Sequence, residues 1–168
     1  MIDFVLKMFL YLLPMYVANS SALIFGGGQR LDFGKSLGDN KPLFGKSKTI
    51  KGTFSGIFSG ILTGLLLMTI FQETNYFNNY FLLSTLLSIG AILGDIIASF
   101  IKRRLGYEEG KEFLFLDQLD FLFGGMILGL IIYVPNLLEI VSAIVATFFV
   151  HKASNFVAYK LKLKKVPW

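Results

Sequence analysis

Three carboxylates and a basic cluster lie in or against apolar runs of this chain. Asp95 stands in Gly94-Asp95-Ile96-Ile97-Ala98-Ser99-Phe100-Ile101, Lys102-Arg103-Arg104 follows at once, and Asp117 and Asp120 come in Leu116-Asp117-Gln118-Leu119-Asp120. A carboxylate held among apolar groups is costly, so it persists only when paired with a cation, facing a polar cavity or binding a metal. Oxygen donors with no His or Cys beside them suit a hard cation, and Mg²⁺ typically takes a carboxylate or two together with substrate phosphates. The adjacent lysine and arginines supply positive charge for anionic oxygens. Carboxylates, a metal and a basic cluster are what phosphoryl or nucleotidyl transfer requires, because that chemistry rests on charge neutralisation and positioning. A plainer explanation competes: basic residues at a helix end anchor it at the membrane surface, and Asp117 and Asp120 suit the positive end of a helix dipole. That suffices for Lys102 to Arg104 taken alone. It does not cover Asp95, which lies inside the hydrophobic run.

Such a cluster needs apolar segments to hold it at depth. Of 168 residues 54% are hydrophobic and the mean hydropathy is +0.65, too apolar for an ordinary soluble domain of this length. The chain reads as an all-α integral membrane protein forming one domain, residues 1–168. A hydrocarbon core of about 30 Å asks for roughly 20 apolar residues per helix. The candidate spans are Ile2 to Phe25, Thr53 to Phe71, Tyr80 to Ile101, Leu119 to Val134 and Leu137 to Tyr159. Pro14 falls inside the first, where a membrane helix tolerates it and a kink is expected. The length of that run and the little positive charge ahead of it favour a retained helix over a cleaved signal. If the third helix continues a turn beyond Ile101, Asp95, Ser99, Lys102 and Arg103 share one face. Asp117 and Asp120 share another, and the hairpin 102–116 lets the two faces meet. Cysteine is absent and His151 is the one histidine. That excludes disulfide frameworks, thiolate metal sites and most triads and zinc clusters.

Apart from Lys7, every lysine and arginine falls in Arg30 to Lys51, Lys102 to Lys111 or Lys152 to Lys165. The connections Gln72 to Asn79 and around Pro135-Asn136 carry none. Basic residues mark the cytoplasmic side, so five transmembrane helices are expected, with the N-terminus outside and the C-terminus in the cytoplasm. The net charge of +5 then faces the membrane surface, and no nucleic acid partner is expected. The long first cytoplasmic loop, Gly26 to Gly52, is rich in Gly and Lys; a flexible basic loop is expected, lying on the membrane face or folded back over the helices. No repeat or low-complexity tract occurs, and no feature specifies an oligomeric state.

Two motifs in that loop fail inspection. Gly26-Gly27-Gly28-Gln29-Arg30 begins like a dinucleotide fingerprint, but Leu31 stands where the third glycine belongs and no strand precedes it. Gly45-Lys46-Ser47 resembles the end of a Walker A motif, yet Asn40 occupies the first glycine position. What is left, Asp39, Lys41, Gly45, Lys48, Thr49, Lys51 and Gly52, offers N–H groups and lysines that can cradle polyphosphate. Attraction to a lipid surface explains the lysines equally well.

The segment Ser99-Phe100-Ile101-Lys102-Arg103, followed by Leu116-Asp117-Gln118-Leu119-Asp120, resembles the signature of the phosphatidate cytidylyltransferase superfamily: Ser-x-x-Lys-Arg and then a closing Asp-x-x-Asp. The bacterial branch fits less well, since no His-Gly-Gly precedes Asp117 and Gln118 replaces its usual Arg. Over nearly the full length the chain is more similar to the archaeal branch, CDP-archaeol synthase. The similarity includes Pro14-Met15-Tyr16-Val17-Ala18-Asn19, Phe25-Gly26-Gly27-Gly28 and Leu31-Asp32-Phe33-Gly34. It continues through Gly45-x-x-Lys48-Thr49-x-x-Gly52 and ends with Ala158-Tyr159-Lys160-Leu161 and Val166-Pro167-Trp168. Asn40 and Ser47 stand where glycines are expected.

That resemblance implies a Mg²⁺-dependent cytidylyltransferase that moves CMP from CTP onto 2,3-bis-O-geranylgeranylglycerol 1-phosphate, an isoprenoid ether-linked glycerol phosphate lipid, releasing pyrophosphate. Asp95, Asp117 and Asp120 carry over as the metal ligands, with Lys102, Arg103 and Asp117 at the reacting phosphates. Lys48, Thr49, Lys51, Ser99 and Asn19 are the expected substrate-binding residues, and His151 is expected to be an interfacial polar residue. The active site is expected at the cytoplasmic face of the cell membrane, with CTP arriving from the cytoplasm and the lipid tails remaining in the bilayer. An ion channel or transporter using Asp95 on its pathway is the alternative. A CDP-alcohol phosphotransferase would show an Asp-Gly and Ala-Arg pattern with further spaced aspartates, which this chain lacks.

Overall fold

The computed structural model of the chain describes residues 1–71, 76–109, 111, 113 and 116–160, with the backbone alone at 154, 155, 157 and 158. Residues 72–75, Leu161, the lysines up to Lys165 and the closing Val166-Pro167-Trp168 lie outside the described residues.

Caps and apolar runs together set the helices α1 (Ile2–Ile24), α2 (Ile50–Ile70), α3 (Tyr80–Arg104), α4 (Leu116–Gly129) and α5 (Leu137–Lys160). α2 begins earlier than its apolar run because the Thr49 hydroxyl accepts the Gly52 N–H at 3.1 Å, satisfying a donor of the first turn. Asn79 opens α3 likewise, accepting the Leu82 N–H at 3.0 Å. α3 then runs beyond Ile101 to Arg104, its basic last turn complementing the negative end of the helix dipole. α5 opens on a reciprocal cap: Asn136 Oδ1 accepts the Glu139 N–H at 3.0 Å, and Glu139 Oε2 accepts the Asn136 N–H at 2.9 Å. α1 runs unbroken through Pro14.

α4 departs from expectation. It ends at Gly129 rather than Val134, and the N–H groups of Leu130 to Tyr133 turn back onto carbonyls of Met126, Leu128 and Gly129. At about 1.5 Å per residue its length is roughly 21 Å, short of a bilayer core of about 30 Å. α1, α2 and α3 are long and apolar enough to cross a membrane by length and composition.

Small residues set the packing. Gly52, Gly56, Gly60 and Gly64 form a buried row along α2. The first two lie against the carbonyls of Ala22 and Ala18 on α1, the last two against Ser88 and Ser84 on α3. Within hydrocarbon, helices gain little from burying apolar surface and associate through close van der Waals approach, which such rows permit. α3 packs most extensively against α4. A Cβ on Gly94 would collide with the Asp120 carbonyl oxygen, and one on Gly90 with that of Gly124. Leu10, Met15, Leu83, Leu87, Ile92, Phe121 and Leu122 fill the core between α1, α3 and α4. α1 is thus an integral part of the fold. Phe54, Phe58, Leu62, Leu66 and Met68 leave the outer face of α2 apolar and exposed, as a lipid-solvated surface requires.

Candidate active site

The antiparallel crossing of α3 and α4 fixes the levels of the carboxylates. Gly94 abuts the Asp120 backbone, so Asp95 and Asp120 stand at one level. Asp117 lies three residues nearer the start of α4, about 4.5 Å further along the axis. There it meets Lys102, whose Nζ is 2.8 and 2.7 Å from the two carboxylate oxygens. Asp117 Oδ2 also accepts the Phe113 N–H at 2.9 Å. Asp95 is engaged from another direction: Lys48 Nζ donates to its oxygens at 2.6 and 2.5 Å.

Lys48 arrives on the connection between α1 and α2, which is a built structure rather than a flexible loop. The buried Asp32 carboxylate accepts the N–H groups of Gly34 at 2.8 Å, Phe44 at 3.2 Å and Gly45 at 3.3 Å. Burial alone would raise its pKa, but these three donors and the charge of Arg30 outweigh burial and hold Asp32 below the usual carboxylate value. The Leu31 N–H bonds the Lys48 carbonyl at 2.8 Å and the Ile50 N–H bonds that of Gln29 at 3.0 Å, so both ends of the loop are tied together. Thr49, expected to bind substrate, is engaged in the backbone: its hydroxyl accepts the Gly27 N–H at 3.1 Å besides capping α2.

Asp95, Asp117, Asp120, Lys48 and Lys102 therefore come together where α3 ends and α2 and α4 begin. Asp120 is half-buried, and its carboxylate accepts the N–H of Phe121 at 2.6 Å. Among the described residues no cationic side chain forms an ion pair with it. It feels the charges of Asp95, Lys48 and Asp117. Arg103 is buried; its Nη1 donates to the Tyr107 carbonyl at 2.5 Å and its Nε meets no acceptor. Ser99 on α3 and Asn19 on α1 are half-buried, whereas Lys51 is exposed on the first turn of α2. His151 stacks on Phe121 with ring centroids 6.5 Å apart.

The expected metal ligands Asp95, Asp117 and Asp120 all lie at this end of the bundle, with Asp117 set apart from the other two. Among the described residues no three His, Cys, Asp or Glu side chains stand close enough to hold an ion. The one-turn offset of Asp117 and its engagement by Lys102 are the physical reason. Asp95 and Asp120, level with each other, still offer hard oxygen donors. The three carboxylates exceed the two lysines that meet them. That surplus and that donor type fit a hard divalent cation shared with substrate phosphates.

Three features of this region escaped the sequence reading: Asp32 as organiser of the loop, the glycine rows that set helix levels, and the outer attachments of the loop by Arg104 and Glu109. Two of them leave a signal. Asp-x-Gly marks an Asx-type turn, and glycines at every fourth position mark a close helix contact.

A lipid-solvated helical bundle with Asp95, Asp117 and Asp120 gathered beside Lys48 and Lys102 has the architecture of a membrane-embedded enzyme. The CarS-like family model, CDP-archaeol synthase, matches residues 1–168. The chain is 39% identical over 160 residues to the CDP-archaeol synthase of Methanopyrus kandleri, covering 94% of this chain and 90% of that one. It is 43% identical over 166 residues to the CDP-archaeol synthase of Methanocaldococcus jannaschii, covering 94% of each. A solved structure of an intramembrane enzyme for archaeal membrane lipids biosynthesis matches with a TM-score of 0.82 at 32% identity, over 89% of this chain and 93% of that one. The chain belongs to the CDP-archaeol synthase family.

Proposed function

We propose that the chain transfers CMP from CTP to 2,3-bis-O-geranylgeranylglycerol 1-phosphate in a Mg²⁺-dependent reaction, as one membrane domain with five passes and its site on the cytoplasmic face. Within this family, the observation that carries the reading is Asp120. It is fixed beside Asp95 at a helix crossing and forms no ion pair of its own among the described residues. The lipid phosphate oxygen attacks the α-phosphorus of CTP, the bond from that phosphorus to the bridging oxygen breaks, and pyrophosphate departs with the electron pair. A phosphate monoester, with a second pKa near 6, is largely ionised at neutral pH, so no general base is required. Asp95 and Asp120, with Asp117 a turn away, would hold Mg²⁺, which when bound supplies charge neutralisation at the phosphates. Lys102 and Arg103 neutralise the departing pyrophosphate, and Lys48 at the end of the first loop and Lys51 on the first turn of α2 grip CTP or the lipid headgroup. Ser99, one turn beyond Asp95 on α3, and Asn19 on α1 are the remaining substrate-binding residues of this reading. Thr49 acts through the Gly27 turn it holds. The concentration of basic residues at the end of α3 and in the α1–α2 loop supports the cytoplasmic placement.

An ion pathway would carry polar groups through the depth of the membrane; the family gives that reading no support. The test is Mg²⁺-dependent pyrophosphate release by detergent-solubilised protein given CTP and the geranylgeranyl ether phosphate, with Asp95→Asn and Asp120→Asn alongside. Release by wild type that is lost in both variants is expected. Absence of release from folded wild type with authentic lipid would overturn the reading.

A further inference from the structure

The cluster Lys102-Arg103-Arg104 divides its labour. Lys102 faces Asp117 and Arg103 is buried, but Arg104 turns away from the carboxylates toward the α1–α2 loop. Its Nη1 donates to both Asp39 oxygens at 2.7 and 2.8 Å. Its Nη2 donates to the carbonyls of Lys41, at 3.1 Å, and Pro42. Lys41 returns the contact, its Nζ donating at 3.2 Å to the Arg104 carbonyl, one of those left open at the end of α3. Phe100 lies under the guanidinium, 5.3 Å from ring centroid to Cζ, and packs against Phe44 of the same loop. A second tie lies close by: Glu109 Oε1 accepts the Lys46 N–H at 2.8 Å, against Gly45, where a Cβ would come within 3.0 Å.

We infer that Arg104 is a positioning residue for the nucleotide, latching loop residues 39–42 onto the end of α3 so that Lys48 is delivered to Asp95. The inference deepens the cytidylyl-transfer reading and rests on it for the identity of the nucleotide. The reasoning is geometric. Lys48 follows the latched segment by six residues, and the loop returns to α2 through the pairing of Leu31 with Lys48. Asp32 holds the interior of the loop together but bonds only loop backbone, so it cannot set where the loop sits relative to α3. Arg104 makes that connection, helped by Lys41 on its carbonyl and Phe44 on Phe100, and Glu109 adds a tie just beyond the helix. A planar guanidinium can bond a carboxylate and two carbonyls at once, a geometry a lysine ammonium cannot reproduce.

The test compares Arg104→Gln, Arg104→Lys, Asp39→Asn and the exchange Asp39→Arg with Arg104→Asp, all in full-length detergent-solubilised protein. Hydrogen exchange of amides 35–46 is read without substrate, and initial rates are measured against CTP with Mg²⁺ and saturating lipid. Arg104→Gln and Asp39→Asn are expected to speed loop exchange about tenfold and to raise KM for CTP by a similar factor, with kcat within about twofold. Arg104→Lys should fall between wild type and Arg104→Gln, and the charge exchange should recover much of the loss. The Asp39 side chain is 40% exposed against 21% for Arg104, so its variant separates the latch from any folding defect of Arg104→Gln. Collapse of kcat with KM and loop exchange unchanged would overturn the inference, since Arg104 would then act on the reacting phosphates. Turnover with unaltered loop exchange in both single variants would also overturn it. Faster loop exchange in both variants of a protein that never turns over CTP would leave the latch standing and remove the activity reading instead.

Discussion

Lysine–carboxylate pairs occur at both ends of the helix bundle, and what surrounds them differs. At the start of α5, Glu139 takes Lys7 at 2.8 Å, the Tyr133 hydroxyl at 2.6 Å and the Asn136 N–H at 2.9 Å. Lys7 also lies over the Tyr133 ring, 4.7 Å from its centroid. Glu139 is 4% exposed, and its network is closed: one negative charge, one positive charge and hydrogen bonds to both carboxylate oxygens. At the other end Lys48 and Lys102 meet Asp95 and Asp117, but Asp120 forms no ion pair of its own among the described residues and Arg103 keeps a buried Nε without an acceptor. The closed network is suited to holding helices together. The open one is what the proposed reading needs, because a partly buried charge that no cation balances is costly until a ligand completes it.

The sharpest way to break this comparison is to neutralise one carboxylate at each end. Asp120→Asn is expected to reduce Mg²⁺-dependent pyrophosphate release by about a thousandfold, whereas Glu139→Gln should leave turnover per folded molecule within about twofold. Equal losses would erase the distinction between the two ends.

Next in size is the helix crossing itself. Gly94→Ala sets a methyl against the Asp120 carbonyl, and Gly64→Ala sets one against Ser84 at the far end of α2. Overpacking of either kind costs about 1–3 kcal/mol. Only Gly94→Ala is expected to lower activity beyond its loss of folded protein, because it moves Asp95 and Asp120 apart. Thermal unfolding and kcat on the same samples check this, and a similar activity loss in Gly64→Ala would show that the level of the two carboxylates is unimportant.

For the closed end the expected effect is on stability. Glu139→Gln should cost about 2 kcal/mol, below the range for breaking a fully buried pair because Lys7 keeps some access to solvent. Denaturation in detergent reads it directly; an unchanged midpoint would mean that the Lys7 pair contributes no net stability.

The smallest effect concerns the loop. The folded pKa of Asp32 lies below its unfolded value, so its stabilisation is complete above about pH 4 and fades as pH falls through the folded value. Asp32→Asn should be less stable than wild type by about 1 kcal/mol near neutrality. Thermal melts across the acid range should show that gap closing below about pH 4; a gap independent of pH would assign the effect to shape rather than charge.

Much of this organisation is legible in the sequence. The apolar runs announce α1, α2, α3 and α5 closely, and Asp95 stands out because it interrupts such a run. The end of α4 is not legible, since hydropathy continues through Leu130 to Val134 while the backbone turns after Gly129. Among the site residues, Asp95 and Asp120 could be foreseen as neighbours from the hairpin. The offset of Asp117, the cap role of Thr49 and the outward turn of Arg104 could not, because each depends on where a remote backbone lies.

The sequence by itself determined the helical class, the segregation of basic residues, and one carboxylate, Asp95, set inside an apolar run. Those properties follow from composition and local order, since hydrocarbon penalises any polar group its own segment leaves unsatisfied. Tertiary structure alone decided which carboxylate meets which cation. Lys48 is 47 residues from Asp95 and Arg104 is 65 from Asp39. Partners so remote are selected by glycine-mediated helix levels and by a loop tied at both ends. No local pattern in the chain encodes that choice.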